Sequence, residues 1–284
     1  MIAVYAMGGG LGHLARARKA LAALGADSSD CALITASPLA RGDEIIQVPR
    51  RLSGSATAFG SWLRDTLRSL APSRILVDAF PLGILGELAD RTLLPEVPVY
   101  HVARHLKWDA YRSAFPGIPR QYEASFVAEP LAPAHESYLR NHSRNLLSLE
   151  LRPQTEAAQE NPFANLPRPV WLLVHSGSAD EVCALLRFAA AHARRARIEP
   201  QFVIVSPRAL DLPAGLLQMA HANPSTLFPF ADRIVTGCGF NSMLETWPWR
   251  DKHLCLPFKR RFDDQSHRAL RRILASRRAP SAAP

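Results

Sequence analysis

The stretch "IAVYAMGGGLGHLARARKALAAL", residues 2–24, runs from a short apolar segment through four glycines and one histidine into an amphipathic repeat. A run that is apolar on both faces reads as a buried strand, and the glycines followed by apolar residues at helical spacing read as a tight turn into a helix. The same order returns at "PVWLLVHSGSADEVCALLRFAAA", residues 169–191. Further strand candidates follow the first opening, "CALITA", "EIIQV", "RILVDAF", "VPVYHVA" and "ASFVAE", and the second, "QFVIVS", "RIVTG" and "HLCLPF". Helical stretches such as "FGSWLRDTLRSLA" stand between them. Strands alternating with helices predict doubly wound parallel sheets.

Residues 152–169, "RPQTEAAQENPFANLPRP", carry prolines and polar residues without apolar periodicity and read as a linker. The expected organisation is α/β, with two Rossmann-like domains at 1–152 and 168–278. Two such domains facing each other leave a cleft at the carboxyl ends of their strands, where these sheets bind ligands. The closing "APSAAP" is expected to fray.

The chain has 284 residues, of which 48% are hydrophobic and 21% charged, an ordinary globular composition. Its four cysteines are scattered without metal-ligand spacing, which argues against a zinc site or a disulfide framework. No basic stretch precedes an apolar core at the amino terminus, and a cytoplasmic setting is expected. The net charge is +9, and residues 259–278 hold eight Lys or Arg against two Asp. That segment, Lys259–Arg278, reads either as a solvated helix face or as a peripheral contact with the anionic inner face of a membrane. It has one aromatic, Phe262, and no recognisable binding motif, so nucleic acid is not an expected partner.

Three turns carry the chemistry. In "GGGLGH", Gly10, Gly12 and Ala15 fit a dinucleotide fingerprint, but the second strand ends without the acidic residue that would hold a ribose; Gly12 stays a candidate for donor binding, its bare backbone letting the turn pass close to the reacting sugar. His13 falls at a helix start on the ligand side of the sheet. There the helix dipole is expected to keep its imidazole neutral, the state a base needs. In "HSGSADE", Gly177 and Ser178 offer backbone N–H groups to an anion, while Ser178 and Glu181 also fit a capping box. In "ADRIVTGCGFNSMLET", a strand runs through Gly237-Cys238-Gly239 into a helix expected to start near Asn241 or Ser242. Ser242 and Glu245 again fit a capping box. Bare glycines at a second helix start also suit a pyrophosphate, and Asp264 and Gln265 in "RFDDQSH" are placed to bond sugar hydroxyls. Asp78, ending the strand "RILVDAF", is the candidate partner of His13 or of an acceptor hydroxyl. His101 and Arg104, around the next strand end, are candidates for the acceptor side.

These residues resemble the GT-B nucleotide-sugar glycosyltransferases, most of all the branch that contains the N-acetylglucosaminyltransferase of peptidoglycan synthesis. The resemblance rests on "GGGLGH", "HSGS", "ADRIVTGCGFNSMLE", "LCLPF" and "DDQ", and it touches both halves of the chain. It implies a GT-B fold and transfer of a sugar from a nucleotide diphosphate, UDP first, to an acceptor it does not identify. It also implies no metal and no cofactor beyond the nucleotide sugar as substrate. By the resemblance Gly239, Asn241 and Ser242 face the diphosphate, Glu245 the ribose diol, and Asp264 and Gln265 the donor sugar. The family usually has a helix ahead of the "AD", whereas "TLFPFADR" runs almost directly into the strand, which leaves the base to Phe228, to Phe230 or to no contact of the family's pattern. The short chain is also similar to a related branch of nucleotide-sugar hydrolases in nonulosonic acid synthesis. The alternatives to a transferase are therefore such a hydrolase and a non-catalytic nucleotide-binding relative.

Overall fold

The computed structural model describes residues 1–52, 54–211 and 216–278. The stretch after Arg278 expected to fray lies outside the described residues. The chain divides into two compact units, one of Met1–Leu151 with Arg261–Asp263, the other of Arg152–Arg260 with the residues from Asp264 onward.

The first unit holds seven parallel strands: β1 (Ile2–Tyr5), β2 (Cys31–Thr35), β3 (Ile45–Gln47), β4 (Arg74–Asp78), β5 (Val99–Ala103), β6 (Ala124–Val127) and β7 (Leu146–Ser148). Their order across the sheet is β3-β2-β1-β4-β5-β6-β7. From β1 the chain builds outward to one edge through β2 and β3, then returns to continue on the other side with β4. The point where this order reverses lies between β1 and β4, the position at which open sheets bind ligands. Helix α1 (Gly12–Ala23) follows β1, and α2 (Ala56–Leu70) precedes β4; α3 (Trp108–Ala114) and α4 (Pro133–His142) lie further along. Helix α2 starts because the Ser55 hydroxyl accepts the Ala58 N–H, and it stops at Ala71, whose φ of 43° leaves the helical region. Its Phe59, Leu63 and Leu67 are buried with Ala3, Tyr5, Ile75 and Val77 of β1 and β4. Burying each such side chain contributes roughly 1.5–3 kcal/mol.

The second unit repeats the plan with β8 (Val170–Val174), β9 (Gln201–Val205), β10 (Leu217–Met219), β11 (Arg233–Gly237) and β12 (His253–Leu256), all parallel, in the order β10-β9-β8-β11-β12. Here the reversal falls between β8 and β11. Helix α5 (Ala179–Ala196) follows β8, α6 (Phe240–Glu245) follows β11, and α7 (Gln265–Arg278) comes last. Strand β8 shows why the strands are apolar on both faces. Trp171 and Leu173 pack with Val182, Leu185 and Ala189 of α5, while Val170 and Leu172 join a core on the other face with Phe163, Leu227 and Phe228. Phe228 is therefore core, which corrects its candidacy as a base-holding ring.

The ten strands expected from apolar runs are all present. Two three-residue edge strands, β7 and β10, were not expected. The stretch 152–169 is irregular but not loose: Phe163 is buried, the Ala158 N–H donates to the Thr226 carbonyl, and the Gln154 N–H donates to Glu245.

Candidate functional site

The reversal point of the first sheet is occupied by His13, Asp78 and Arg16. Asp78 is the last residue of β4 and wholly buried, and Oδ2 lies 2.6 Å from His13 Nδ1. Arg16, one turn after His13 on α1 and itself buried, donates from Nε to Oδ1 and from Nη2 to Oδ2, each at 2.7 Å. Burial alone would raise the Asp78 carboxyl, but the Arg16 charge and the His13 hydrogen bond hold it below the usual carboxylate range. An ionised carboxylate only accepts, so Nδ1 of His13 carries the proton and Nε2 keeps its lone pair. Burial lowers the His13 pKa despite Asp78, which acts to raise it, and the ring is neutral at pH 7. Neutrality is as expected, but its first cause is burial.

The backbone around this group is specialised. Ala79, directly after Asp78, has φ of 69°, a left-handed conformation rare for a residue with a Cβ. This sharp exit sends Phe80 back to stack on His13, ring centroids 5.5 Å apart. On the other side, a Cβ added at Gly8 would lie 2.3 Å from His13 Cδ2 and 3.0 Å from Nε2, whereas one at Gly9 meets nothing within 4 Å. Of these two, Gly8 is the one that must stay bare, because the imidazole lies directly on its backbone.

The remaining acceptor-side candidates fare differently. Arg104 is buried and ion-paired with Asp263, which belongs to the first unit together with Phe262. Phe262 packs against Phe80 and Tyr111. His101 is wholly buried in β5, its ring stacked on Tyr122 and its Nδ1 3.3 Å from the Ser125 hydroxyl; burial pushes its pKa down to about 4. It faces no solvent, so it cannot line an acceptor pocket.

At the reversal point of the second sheet, His175 follows β8. Its Nε2 is 2.7 Å from Glu181 Oε2, and Arg260 donates to both Glu181 oxygens. The Arg260 hydrogen bonds hold the Glu181 pKa down at about 2, and burial lowers that of His175. A Cβ at Gly177 would collide with Glu181 Oε2 at 2.1 Å and His175 Nε2 at 2.4 Å; one at Gly237 would lie 3.4 Å from His175 Cε1. The turns after β8 and β11 thus meet at His175. Ser178 caps α5 by accepting from the Glu181 N–H, as the capping box predicts, but the Glu181 carboxylate turns to His175 and Arg260 instead of reaching back.

The second capping box does not form. Helix α6 starts at Phe240 with Gly239 as its cap, so Asn241 and Ser242 lie inside it and Glu245 ends it. Glu245 Oε2 accepts the Gln154 N–H at 2.7 Å. Asp264 Oδ1 accepts the His267 N–H at the start of α7, and Gln265 Oε1 accepts the Phe258 N–H at 3.0 Å. The basic segment is not one solvated face either. Arg260 is paired, Arg268 and Arg272 are buried, and Arg272 donates to the Met243 carbonyl, while Leu270, Ile273 and Leu274 are exposed.

No group of three or more metal-capable side chains occurs among the described residues, and no helix among them is long and apolar enough to cross a membrane. No family model matches the chain, and no curated protein does. Solved structures do match. The spinosyn forosaminyltransferase SpnP superposes with a TM-score of 0.57 at 14% identity, over 99% of this chain and 86% of that one. The fold is GT-B. The glycotransferase of kitacinnamycin gives 0.56 at 15% identity, over 97% and 84%. The glycosyltransferase SsfS6 of Streptomyces sp. SF2575, complexed with thymidine diphosphate, gives 0.54 at 16%, over 97% and 85%. At such identities the likeness carries the architecture and leaves the chemistry to the side chains.

Several site residues were not legible beforehand. Arg16 sits in "LARARK", inside the amphipathic repeat, where nothing in the spacing singles it out. Glu181 reads as a cap partner, and Gly8 as one glycine among four.

Proposed function

We propose that the chain is a glycosyltransferase that moves a sugar from a nucleotide diphosphate donor to an acceptor nucleophile. The observation that carries this reading is the neutral, oriented His13, hydrogen-bonded to a buried ionised Asp78 at the reversal point of the first sheet. In this reading Nε2 of His13 takes the proton of the acceptor as the acceptor attacks the anomeric carbon. The bond to the diphosphate oxygen breaks, and the nucleotide diphosphate departs with the electron pair. The second unit holds that diphosphate through the turns after β8 and β11, with Gly177, Ser178, Gly239, Asn241 and Ser242 as donors. Glu245 accepts from the ribose, and Asp264 and Gln265 serve the donor sugar. Backbone dipoles do the work a cation would do at the leaving group. The GT-B fold, and the thymidine diphosphate bound by SsfS6, support a nucleotide-sugar substrate.

The experiment is nucleotide release from UDP- and TDP-sugars, with and without a panel of acceptors. Slow release that an acceptor accelerates supports transfer. Rapid release of free sugar with no acceptor would select hydrolysis, and binding without turnover would sink the enzymatic reading.

A further inference from the structure

Arg16 is absent from the proton transfer just described, yet it is built into the group as firmly as Asp78. It is buried and spans both Asp78 oxygens at 2.7 Å, and its Nη2 lies 3.1 Å from His13 Nδ1. A helix that buries an arginine at the cost of desolvation needs a compensating partner, and this one has a bidentate carboxylate. The charges that act on His13 are Asp78 from β4, Arg16 from α1 and Arg104 beyond β5, the last ion-paired with Asp263. Two of these three are cationic, and Arg16 lies within hydrogen-bonding range of the ring.

We infer that Arg16 is a positioning residue of the His13 base: its guanidinium fixes the Asp78 carboxylate and keeps the imidazole from holding the proton it takes. The inference rests on His13 acting as the base, but its first test needs no substrate. With both Asp78 oxygens taken by the guanidinium fork, Oδ2 is left at one place for Nδ1–H, so the ring has one tautomer and one orientation. When Nε2 gains the proton, an imidazolium stands beside a guanidinium. Asp78 binds both cations but cannot remove their repulsion, so the protonated ring stays a good acid. It hands its proton on, to the departing nucleotide or to water, and the base is regenerated.

The test is the NMR titration of His13 in the intact protein, its signal assigned by its loss in His13→Gln. In the wild type His13 should titrate below the ordinary 6.5, consistent with its lowered value. In Arg16→Gln, with the nearby cation removed, the midpoint should rise by roughly one pH unit. The acid limb of kcat/KM should rise with it. Arg16→Lys keeps the charge and loses the fork: its midpoint should stay near wild type while kcat falls. A wild-type midpoint at or above 6.5, or an unchanged midpoint in Arg16→Gln, overturns the inference. If Arg16→Gln does not fold, Arg16→Lys still tests the positioning: kcat should fall while the His13 midpoint holds, and an unchanged kcat overturns the inference. Absence of turnover with the expected titrations would refute the transferase reading and leave the coupling of Arg16 to His13 intact.

Discussion

In each unit a histidine that follows the first strand of the sheet is tied to a carboxylate and an arginine, but the two groups are assembled in opposite ways. In the first, the histidine and arginine are on the helix and the carboxylate comes from the neighbouring strand, 65 residues away from His13. In the second, the carboxylate is on the helix, six residues after His175, and the arginine comes from beyond the last strand. Burial follows. His13, Asp78 and Arg16 are 15, 0 and 3% exposed; His175, Glu181 and Arg260 are 12, 20 and 35% exposed. A carboxylate locked in a sheet cannot reorient or take up water when a proton moves beside it, and that suits a base. A group with a partly solvated arginine and carboxylate can re-form around an incoming anion at low cost. Under the proposed function, the contrast suits the first group to proton chemistry and the second to ligand holding.

The strongest test of that contrast is a pair of alanine variants. His13→Ala should lower kcat by about 10²–10⁴ and leave nucleotide affinity nearly unchanged. His175→Ala should do the reverse, weakening nucleotide binding about tenfold with a small effect on kcat, the loss of roughly one hydrogen bond to a charged group. Steady-state kinetics with isothermal titration of the nucleotide measures both. Equal losses of kcat would abolish the distinction between the two groups.

The glycines sharpen it further. Gly8→Ala places a methyl against the imidazole and should displace it, and a displacement near 1 Å can cost about 10²-fold in rate. Gly9→Ala, three residues before the helix cap's successor and facing open space, should behave as wild type. The backbone at Gly8 has no positive φ to lose, so a Gly8→Ala protein that folds and keeps full activity would show that contact with the imidazole is not needed.

These assignments show which parts were legible in the sequence. The fold was, because a strand packed between two helical layers must be apolar on both faces, and β8 with Val170 and Leu172 on one side and Trp171 and Leu173 on the other displays the pattern plainly. Edge strands β7 and β10 were not: β3, equally short and at an edge, shows as the apolar pair in "EIIQV", whereas β10 is Leu-Gln-Met and β7, in "NLLSLE", has no such bounded run. His13 was legible as a helix-start position and Asp78 as a strand end. Their pairing with Arg16 was not: it depends on β4 lying beside β1, and spacing along the chain does not encode sheet order. For the same reason Glu181 looks like a cap residue until Arg260, 79 residues on, is brought to it.

Acid should separate the units as well. The first contains His13, His101 and His135, all held neutral by burial; His101 is pushed down to about 4 and His135 to about 2. His135 lies flat on Trp108, centroids 4.0 Å apart, and neither ring nitrogen finds a hydrogen-bond partner among the described residues. A histidine whose folded pKa is lowered stabilises the fold fully above its unfolded value near 6.5. Below that the unfolded chain binds the extra proton, so stability falls by about 1.4 kcal/mol per pH unit for each such group. In the second unit, burial lowers His175 and pushes His253 down to about 3. Between pH 6.5 and 4.5, hydrogen exchange should therefore quicken in β4 to β6 before it does in β8, β9 and β11. His135→Phe, which keeps the stacking and removes the titration, should flatten the loss in the first unit. Simultaneous opening of both units in wild type would contradict this.

The smallest expected effect concerns Glu245, and it bears on which nucleotide the second group serves. One of its oxygens already accepts the Gln154 N–H from the segment that packs over the unit, so the carboxylate is held in place without any ligand. If it also receives a ribose hydroxyl, the preference must appear as a difference between UDP and TDP, because the thymidine sugar lacks the 2′-hydroxyl. Wild type should then bind UDP about tenfold more tightly than TDP, and Glu245→Ala should bring the two to near equality. Loss of the Gln154 contact alone would cost both nucleotides the same factor, through a loosened segment and roughly 1 kcal/mol of stability. Glu245→Gln separates these outcomes. Its amide oxygen still accepts the Gln154 N–H, while its neutral side chain accepts a hydroxyl less strongly, so the segment should stay in place and the UDP preference should shrink. Equal affinities for UDP and TDP in the wild type would confine Glu245 to holding Gln154, and the ribose contact would have to be sought elsewhere in the second unit.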